Sequence, residues 1–462
     1  MSETNQLGTQ PLGRLLVKMA APTVVAQLIN MLYNLVDRIY IGHIPGEGAY
    51  ALTGMGVCMP VIMVVSAFAM LAGAGGGPRA SIFMGRGDNE QAEKILGNCF
   101  TLLLCISVVI TAILLGFGEE LLMAFGATEN TIGYATAYMN VYALGTVFVQ
   151  MTLGMNSFII AQGFSKTGML SVLIGAISNI ILDPIFIFGL HLGVVGAALA
   201  TIISQAISSI WVVGFLMGKK TTLKLRAQNM PLKRKIILPC VGLGLATFIM
   251  MASESVISVC FNTSLRTYGG DIAVGAMTIL ISVTQFALLP LQGLGQGAQP
   301  IISFNYGAGN VERVKKTYFL LLRSSLVYSV LLWALVILFP VGFASIFTSD
   351  AALIEFAAPA IRCYCAMVLI FGIQISCQMT FTALGKAKAS IIVAVMRKFV
   401  LLMPLIYIMP HIFTADKTMA VYLAEPVADI IAVTFTAILF AFQFRKVLKQ
   451  MRMLAGSPEL AE

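Results

Sequence analysis

Long apolar runs separated by short polar breaks fill the chain from end to end. Twelve runs can be drawn, at 15–43, 51–76, 94–117, 133–160, 167–189, 193–217, 236–262, 272–299, 317–341, 354–384, 388–410 and 417–443. A helix rises about 1.5 Å per residue, so each run of roughly 20 or more residues can cross a hydrocarbon core of about 30 Å. The pattern predicts an all-α integral membrane protein with twelve transmembrane helices.

The polar breaks repeat at an offset of 222 residues. "GAGGGPRASIFMGRGDNEQAEK" (73–94) lies over "GLGQGAQPIISFNYGAGNVERVKK" (293–316), so that Gly73, Gly75, Pro78, Ser81, Gly85, Gly87, Glu90 and Lys94 meet Gly295, Gly297, Pro300, Ser303, Gly307, Gly309, Glu312 and Lys316. The same register pairs Tyr142 with Tyr364, Gly163 with Gly385 and Lys166 with Lys388. The repeat unit contains six runs, an even number, so both halves enter the membrane from one side and form parallel repeats. The expected architecture is two pseudo-twofold six-helix bundles around a central cavity. Residues 1–218 form the first bundle, 219–235 a basic linker, 236–446 the second bundle and 447–462 a cytoplasmic tail. Rocking of one bundle against the other would give a secondary transporter; a duplicated bundle without a transport role is the plainer alternative.

Composition agrees with the pattern. Of 462 residues 58% are hydrophobic and 11% charged, with mean hydropathy +0.91. The net charge of +9 invites a nucleic-acid reading, but 23 of the 29 Lys and Arg fall in the N-terminus, the even-numbered loops, the C-terminal tail or adjoining helix ends. "KKTTLKLRAQNMPLKRK" (219–235) holds seven and no acid, whereas the opposite loops carry Glu47, Glu119, Glu120, Glu129, Asp271, Asp350 and Asp416. This positive-inside bias places both termini in the cytoplasm and argues for a membrane partner and no nucleic acid. "MSETNQLGTQPLG" has no signal-peptide pattern. The eight cysteines lack metal or redox spacing, and no GxxxxGK[ST] sequence occurs, so transport would draw on an ion gradient rather than ATP.

Five acids fall well inside the runs: Asp37, Asp183, Glu254, Glu425 and Asp429. An ionised carboxylate at the bilayer centre costs about 3 kcal/mol on insertion scales, so each needs a cavity, a partner or a proton. Asp37, Asp183 and Thr201 lie at similar depth in the outer half of the first bundle, and Asn179 shares a helical face with Asp183. Pro184 cannot donate to the carbonyl of Ile180, which leaves that oxygen free nearby. Such hard oxygens, expected in a wet outward-facing pocket, could take Na⁺; the two carboxylates could instead share a proton. Hydrogen bonds that merely tie helices together are the alternative. At the repeat offset Asp183, Asn179 and Thr201 meet Leu405, Leu401 and Leu423, so the polar cluster belongs to one half only. In the second half Glu254 follows Pro239 by the 15 residues that separate Asp37 from Pro22, which suggests that it is Asp37's counterpart. Arg397 and Lys398 reach a depth comparable to Glu425 and Asp429, as a neutralised pair or a substrate-sensing network. Arg38, adjacent to Asp37, is expected to point away from it and snorkel.

At "NLVDRIYIG" (34–42), "GMNSFIIAQG" (154–163), "NIILDPIFIFG" (179–189) and "GVVGAALAT" (193–201), the chain resembles the multidrug and toxic compound extrusion (MATE) family, and most of all its DinF-like bacterial branch with MepA-type efflux pumps. The resemblance covers nearly the whole chain. It implies a bacterial inner-membrane antiporter, not an enzyme, that works as a monomer without a cofactor and exports cationic or amphipathic compounds in exchange for H⁺ or Na⁺. It also implies a cation site at Asp37, Asn179, Asp183, the Ala197 carbonyl and Thr201, with Tyr33, Asn34, Asn156 and Glu254 toward substrate. Glu254 is similar to an acid of the NorM-like branch. Two other readings are a flippase for a lipid-linked sugar, which would require a cationic lateral groove from Arg397, Lys398 and Arg362, and an aspartyl protease on Asp37 and Asp183, which lacks the GxGD context. One charge crossing 100 mV gains about 2.3 kcal/mol, a roughly fiftyfold gradient, so one or two ions suffice for efflux.

Overall fold

The computed structural model describes residues 3–455, and every regular element among them is helical. Twelve crossings emerge. Spans 1 to 3 are Leu12–Gly42, Gly48–Gly85 and Asn89–Ala124. Span 4 is a bent pair, Ile132–Leu144 and Thr146–Ala161, at 62°. Spans 5 and 6 are Ser165–Gly189 and Gly193–Met217. Residues 234–307 hold spans 7 and 8, which reverse at Gly270, where φ of 66° lies in the region glycine enters without a Cβ clash. Span 9 is Val311–Leu338. Span 10 is a second bent pair, Ala351–Tyr364 and Val368–Ala383, at 50°; spans 11 and 12 are Ala387–Ile412 and Lys417–Leu454. The bend recurs in spans 4 and 10, as the sequence repeat requires. Residues 447–455 prolong span 12 and bury Val447 and Met451; 456–462 lie outside the described residues.

The face that carries residues 219–235 is called the basic face below. There the two halves meet through glycines. A Cβ on Gly85 would overlap the carbonyl of Phe304, and one on Gly307 would overlap that of Ile82. These two contacts are one another's image at the 222 offset. Gly75 against Cys240 and Gly244 against Leu71 likewise mirror Gly297 against Ala20 and Gly293 against Val24. Hydrogen bonds reinforce the seam: the Thr23 hydroxyl donates to Gly293 O (2.6 Å), Gln27 Nε2 to Gln296 Oε1 (3.1 Å) and Ser81 to Pro300 O (3.3 Å). Small residues let backbones approach closely where lipid offers no hydrophobic drive. The basic half of the seam is therefore sealed.

Two peripheral segments strap that face. In the linker, Gln162 Oε1 accepts from Thr221 Oγ1 (2.9 Å), Thr222 N (2.9 Å) and Leu223 N (2.8 Å), while Asn98 Oδ1 accepts from Lys233 N (2.6 Å). The short helix Glu3–Thr9 bridges both halves: Thr4 donates to Gln162 O (2.9 Å), and the carbonyl of fully buried Leu7 accepts from Asn305 Nδ2 (2.9 Å) and Arg313 Nη2 (3.1 Å). Gln162→Ala would strand the Thr222 and Leu223 amides at a cost of about 2–4 kcal/mol. The variant is expected to melt several degrees below the parent in detergent, and Gln162→Glu, which keeps the acceptor, to lose less.

Candidate functional site

Asp37 lies five residues before the end of span 1, Asp183 six before the end of span 5, and Thr201 eight into span 6. At 1.5 Å per residue these are depths of about 8, 9 and 12 Å from the face opposite the basic one. The structure brings them together. The carboxyls of Asp37 and Asp183 face each other within hydrogen-bonding reach. Asn179 Nδ2 donates to Asp183 Oδ1 at 3.2 Å, and the Thr201 hydroxyl donates to Ala197 O at 3.0 Å, a carbonyl inside the helix of span 6. Tyr33 stands near both acids.

Span 5 turns from α to π geometry after Pro184, over Ile185–Gly189. Single π turns are frequent at functional sites, and here the missing N–H of proline sits at the transition. The wet pocket expected from sequence is replaced by a closed one: Asp37 is 3% exposed and Asp183 0%. Arg38 is exposed, and it lies within electrostatic reach of Asp37.

Among the described residues, no hydrogen-bond donor reaches three buried oxygens of this cluster: Asp37 Oδ1, Asn179 Oδ1 and Asp183 Oδ2. Unpaired buried acceptors are costly, and two buried carboxylates whose neighbouring cation, Arg38, is exposed are short of positive charge. The donor set is oxygen alone and fits a proton or a hard monovalent cation such as Na⁺. Among the described residues no three His, Cys, Asp or Glu side chains gather to hold a metal, so transition-metal ligation is not what these residues offer.

Sequence reasoning missed Tyr138 and Tyr142 of span 4. Tyr138 is buried, near Asp37 and within reach of the Thr201 hydroxyl, and Tyr142 neighbours Tyr33. The signal available was tyrosines four apart, at 134, 138 and 142, on one face of an apolar run. Of the residues expected toward substrate, Asn156 lies apart from the acids, whereas Asn34 sits one turn before Asp37. Asn156 Nδ2 donates to Gly168 O at 3.3 Å, and Gly168 is fifteen residues before Asp183, about 22 Å along the helix. Asn34 donates to its own turn, at Asn30 O.

The second bundle holds five charges in one network. Arg397 donates through Nε to Asp429 Oδ1 (2.9 Å) and through Nη2 to Glu425 Oε1 (3.0 Å), and its guanidinium stacks 4.7 Å from the Phe371 ring. Lys398 Nζ donates to Glu254 Oε1. Both cations lie in a π segment, Met396–Leu402, which sets adjacent residues toward different acids. The seam corrects the proposed pairing of Glu254 with Asp37. The mirrored contacts match Cys240 with Ala20 and Gly244 with Val24, an offset of 220 in spans 1 and 7. Glu254 therefore corresponds to Asn34, and Asp37 to Ile257.

The MatE family model matches residues 22–185 and again 246–408. The multidrug export protein MepA of Staphylococcus haemolyticus is 26% identical over 392 residues, covering 85% of this chain and 86% of that protein. MepA of Staphylococcus aureus strain NCTC 8325 is 24% identical, covering 87% and 88%. Among solved structures, one described as a MATE transporter in the bent conformation superposes with a TM-score of 0.91 at 23% identity, covering 98% of this chain and 99% of that one. An outward-facing multidrug resistance MATE transporter gives 0.89 at 24%, covering 96% and 98%. A Pyrococcus furiosus transporter, described as having a binding pocket of reverse polarity suggesting a different function, gives 0.88 at 24%, again covering 96% and 98%. One architecture is thus compatible with pockets of different polarity, and function has to be argued from the side chains.

Proposed function

This chain belongs to the MatE family, and from that premise we propose that it is a secondary antiporter that exports cationic, amphipathic compounds in exchange for inward-moving H⁺ or Na⁺. The observation that carries this reading is the trio of donorless oxygens on Asp37, Asn179 and Asp183. They form an anionic, closed site in the first bundle, where binding of one positive charge relieves repulsion and draws spans 1 and 5 together. The curated relatives named as multidrug export proteins support the substrate class. The seam, sealed on its basic half, supports a state open toward the opposite face, from which substrate leaves and the coupling ion enters. On this reading the basic face is cytoplasmic and the protein resides in the bacterial plasma membrane.

The flippase reading asks for a cationic lateral groove, but Arg397 and Lys398 are both spent on acids and Arg362 Nε donates to Ile337 O. Proteoliposomes loaded with ethidium test the proposal: an inward pH gradient or an inward Na⁺ gradient is expected to drive ethidium out. Absence of efflux under both gradients rejects it.

A further inference from the structure

Span 9 carries a groove of about 460 Å³ on its lateral surface, lined by Leu320, Arg323, Ser324, Val327, Tyr328 and Leu331. These positions recur every three or four residues and form one stripe of the helix. Arg323 is exposed and follows Lys316 by seven residues, two turns along the same side. It therefore sits about 10 Å deeper in the membrane than the lysines at the basic end of the span. A guanidinium facing hydrocarbon at that depth is costly unless something neutralises it. Among the described residues Arg323 makes no hydrogen bond or ion pair. The only acid of span 9, Glu312, lies three turns back and pairs with Arg452 at 4.0 Å.

The rest of the groove is apolar and held in shape. Tyr328 Oη donates to Ala287 O of span 8 at 3.1 Å, which fixes the ring as one wall. Val327 and Leu331, 54% and 61% exposed, carry the stripe about 12 Å beyond the arginine, toward the membrane centre. At the repeat offset Arg323 stands where span 3 has Thr101, whose hydroxyl donates to Met230 O of the linker at 2.8 Å. The shared fold thus asks for no cation here, and the spot that the linker meets in the first half is open in the second.

We infer that this groove binds one anionic phospholipid from the leaflet on the basic face, with its phosphate on Arg323 and an acyl chain laid along Val327 and Leu331. A guanidinium matches a phosphate through two parallel hydrogen bonds, and its long stem reaches back toward the headgroups. No lining residue is an acid that could take the ammonium of a zwitterionic headgroup, so the net positive site favours a lipid of net negative charge. The apolar continuation selects a lipid over free phosphate.

Native mass spectrometry of the purified protein in detergent, titrated with palmitoyl-oleoyl phosphatidylglycerol, reads the site. The parent is expected to bind one such lipid at least tenfold more tightly than phosphatidylcholine with the same chains. Arg323→Thr, the residue that serves in the first half, is expected to abolish the preference. Val327→Trp keeps the guanidinium but fills the groove, and is expected to weaken phosphatidylglycerol binding by a similar factor. Both changes fall on exposed side chains, so the lipid-free variants are expected to melt with the parent. Inorganic phosphate at millimolar concentration is expected to leave the complex intact. Equal binding of the two lipids by the parent, or an unchanged preference in Arg323→Thr, overturns the inference. A preference that survives Val327→Trp overturns it too, because an arginine that merely snorkels to bulk headgroups needs no groove. Displacement of the lipid by inorganic phosphate would do the same.

Discussion

Asp183→Asn is expected to leave ethidium bound and exchanged across the membrane but no longer driven uphill. The substitution keeps the volume of the side chain and its hydrogen bond from Asn179 Nδ2, while it removes one of the two negative charges of the Asp37 and Asp183 pair. Under an imposed tenfold gradient of H⁺ or Na⁺, one coupled ion per substrate sustains a substrate ratio of about ten, equivalent to ~1.4 kcal/mol, and two ions about a hundred. In the variant that ratio is expected to fall to one, and Asp37→Asn to behave alike. Counterflow of labelled ethidium, which needs no gradient, is expected to persist in both. Retention of gradient-driven efflux by both variants would remove the coupling role assigned to these acids.

The second large effect is expected at the seam. Gly307→Leu places a side chain where even a Cβ overlaps the Ile82 carbonyl, and Gly85→Leu does the same against Phe304. Overpacking costs typically ~1–3 kcal/mol, and it is levied only while the basic half of the seam is shut. At about 1.4 kcal/mol per factor of ten, the open-to-closed ratio should rise by roughly ten- to a hundredfold. Cys240 is buried in the seam and reports this directly. Its alkylation by a maleimide, followed by peptide mass spectrometry, is expected to accelerate tenfold or more in either variant. An unchanged rate in both, with melting unchanged, would mean that the seam yields locally and does not set which side is open.

Much of this molecule is legible in its sequence because the bilayer enforces simple rules. Apolar runs must be helices, so the twelve spans followed from pattern alone. The cost of an isolated intramembrane charge likewise singled out Asp37 and Asp183, whose meeting needed only depth and helical phase. What failed to follow from sequence depended on lateral packing. The register that pairs Glu254 with Asn34 is fixed by glycine contacts three turns away, whereas proline spacing suggested another. Tyr138 and Tyr142 looked like any aromatic residues of a lipid-facing run, since rotation of a helix about its axis is set by its neighbours. Asn156 carried a family-like motif, yet its amide is turned to Gly168 at the other end of span 5.

The reciprocity of the glycine contacts also says something about ancestry. Gly85 with Phe304 and Gly307 with Ile82 form an isologous pair: each half presents the same patch and receives its copy. A half-length forebear carrying that patch could have dimerised on itself, side by side in one orientation, before fusion joined two genes. Covalent joining then freed the copies to diverge, with one keeping paired aspartates and the other acquiring a five-charge knot, a division of labour that a symmetric dimer cannot encode.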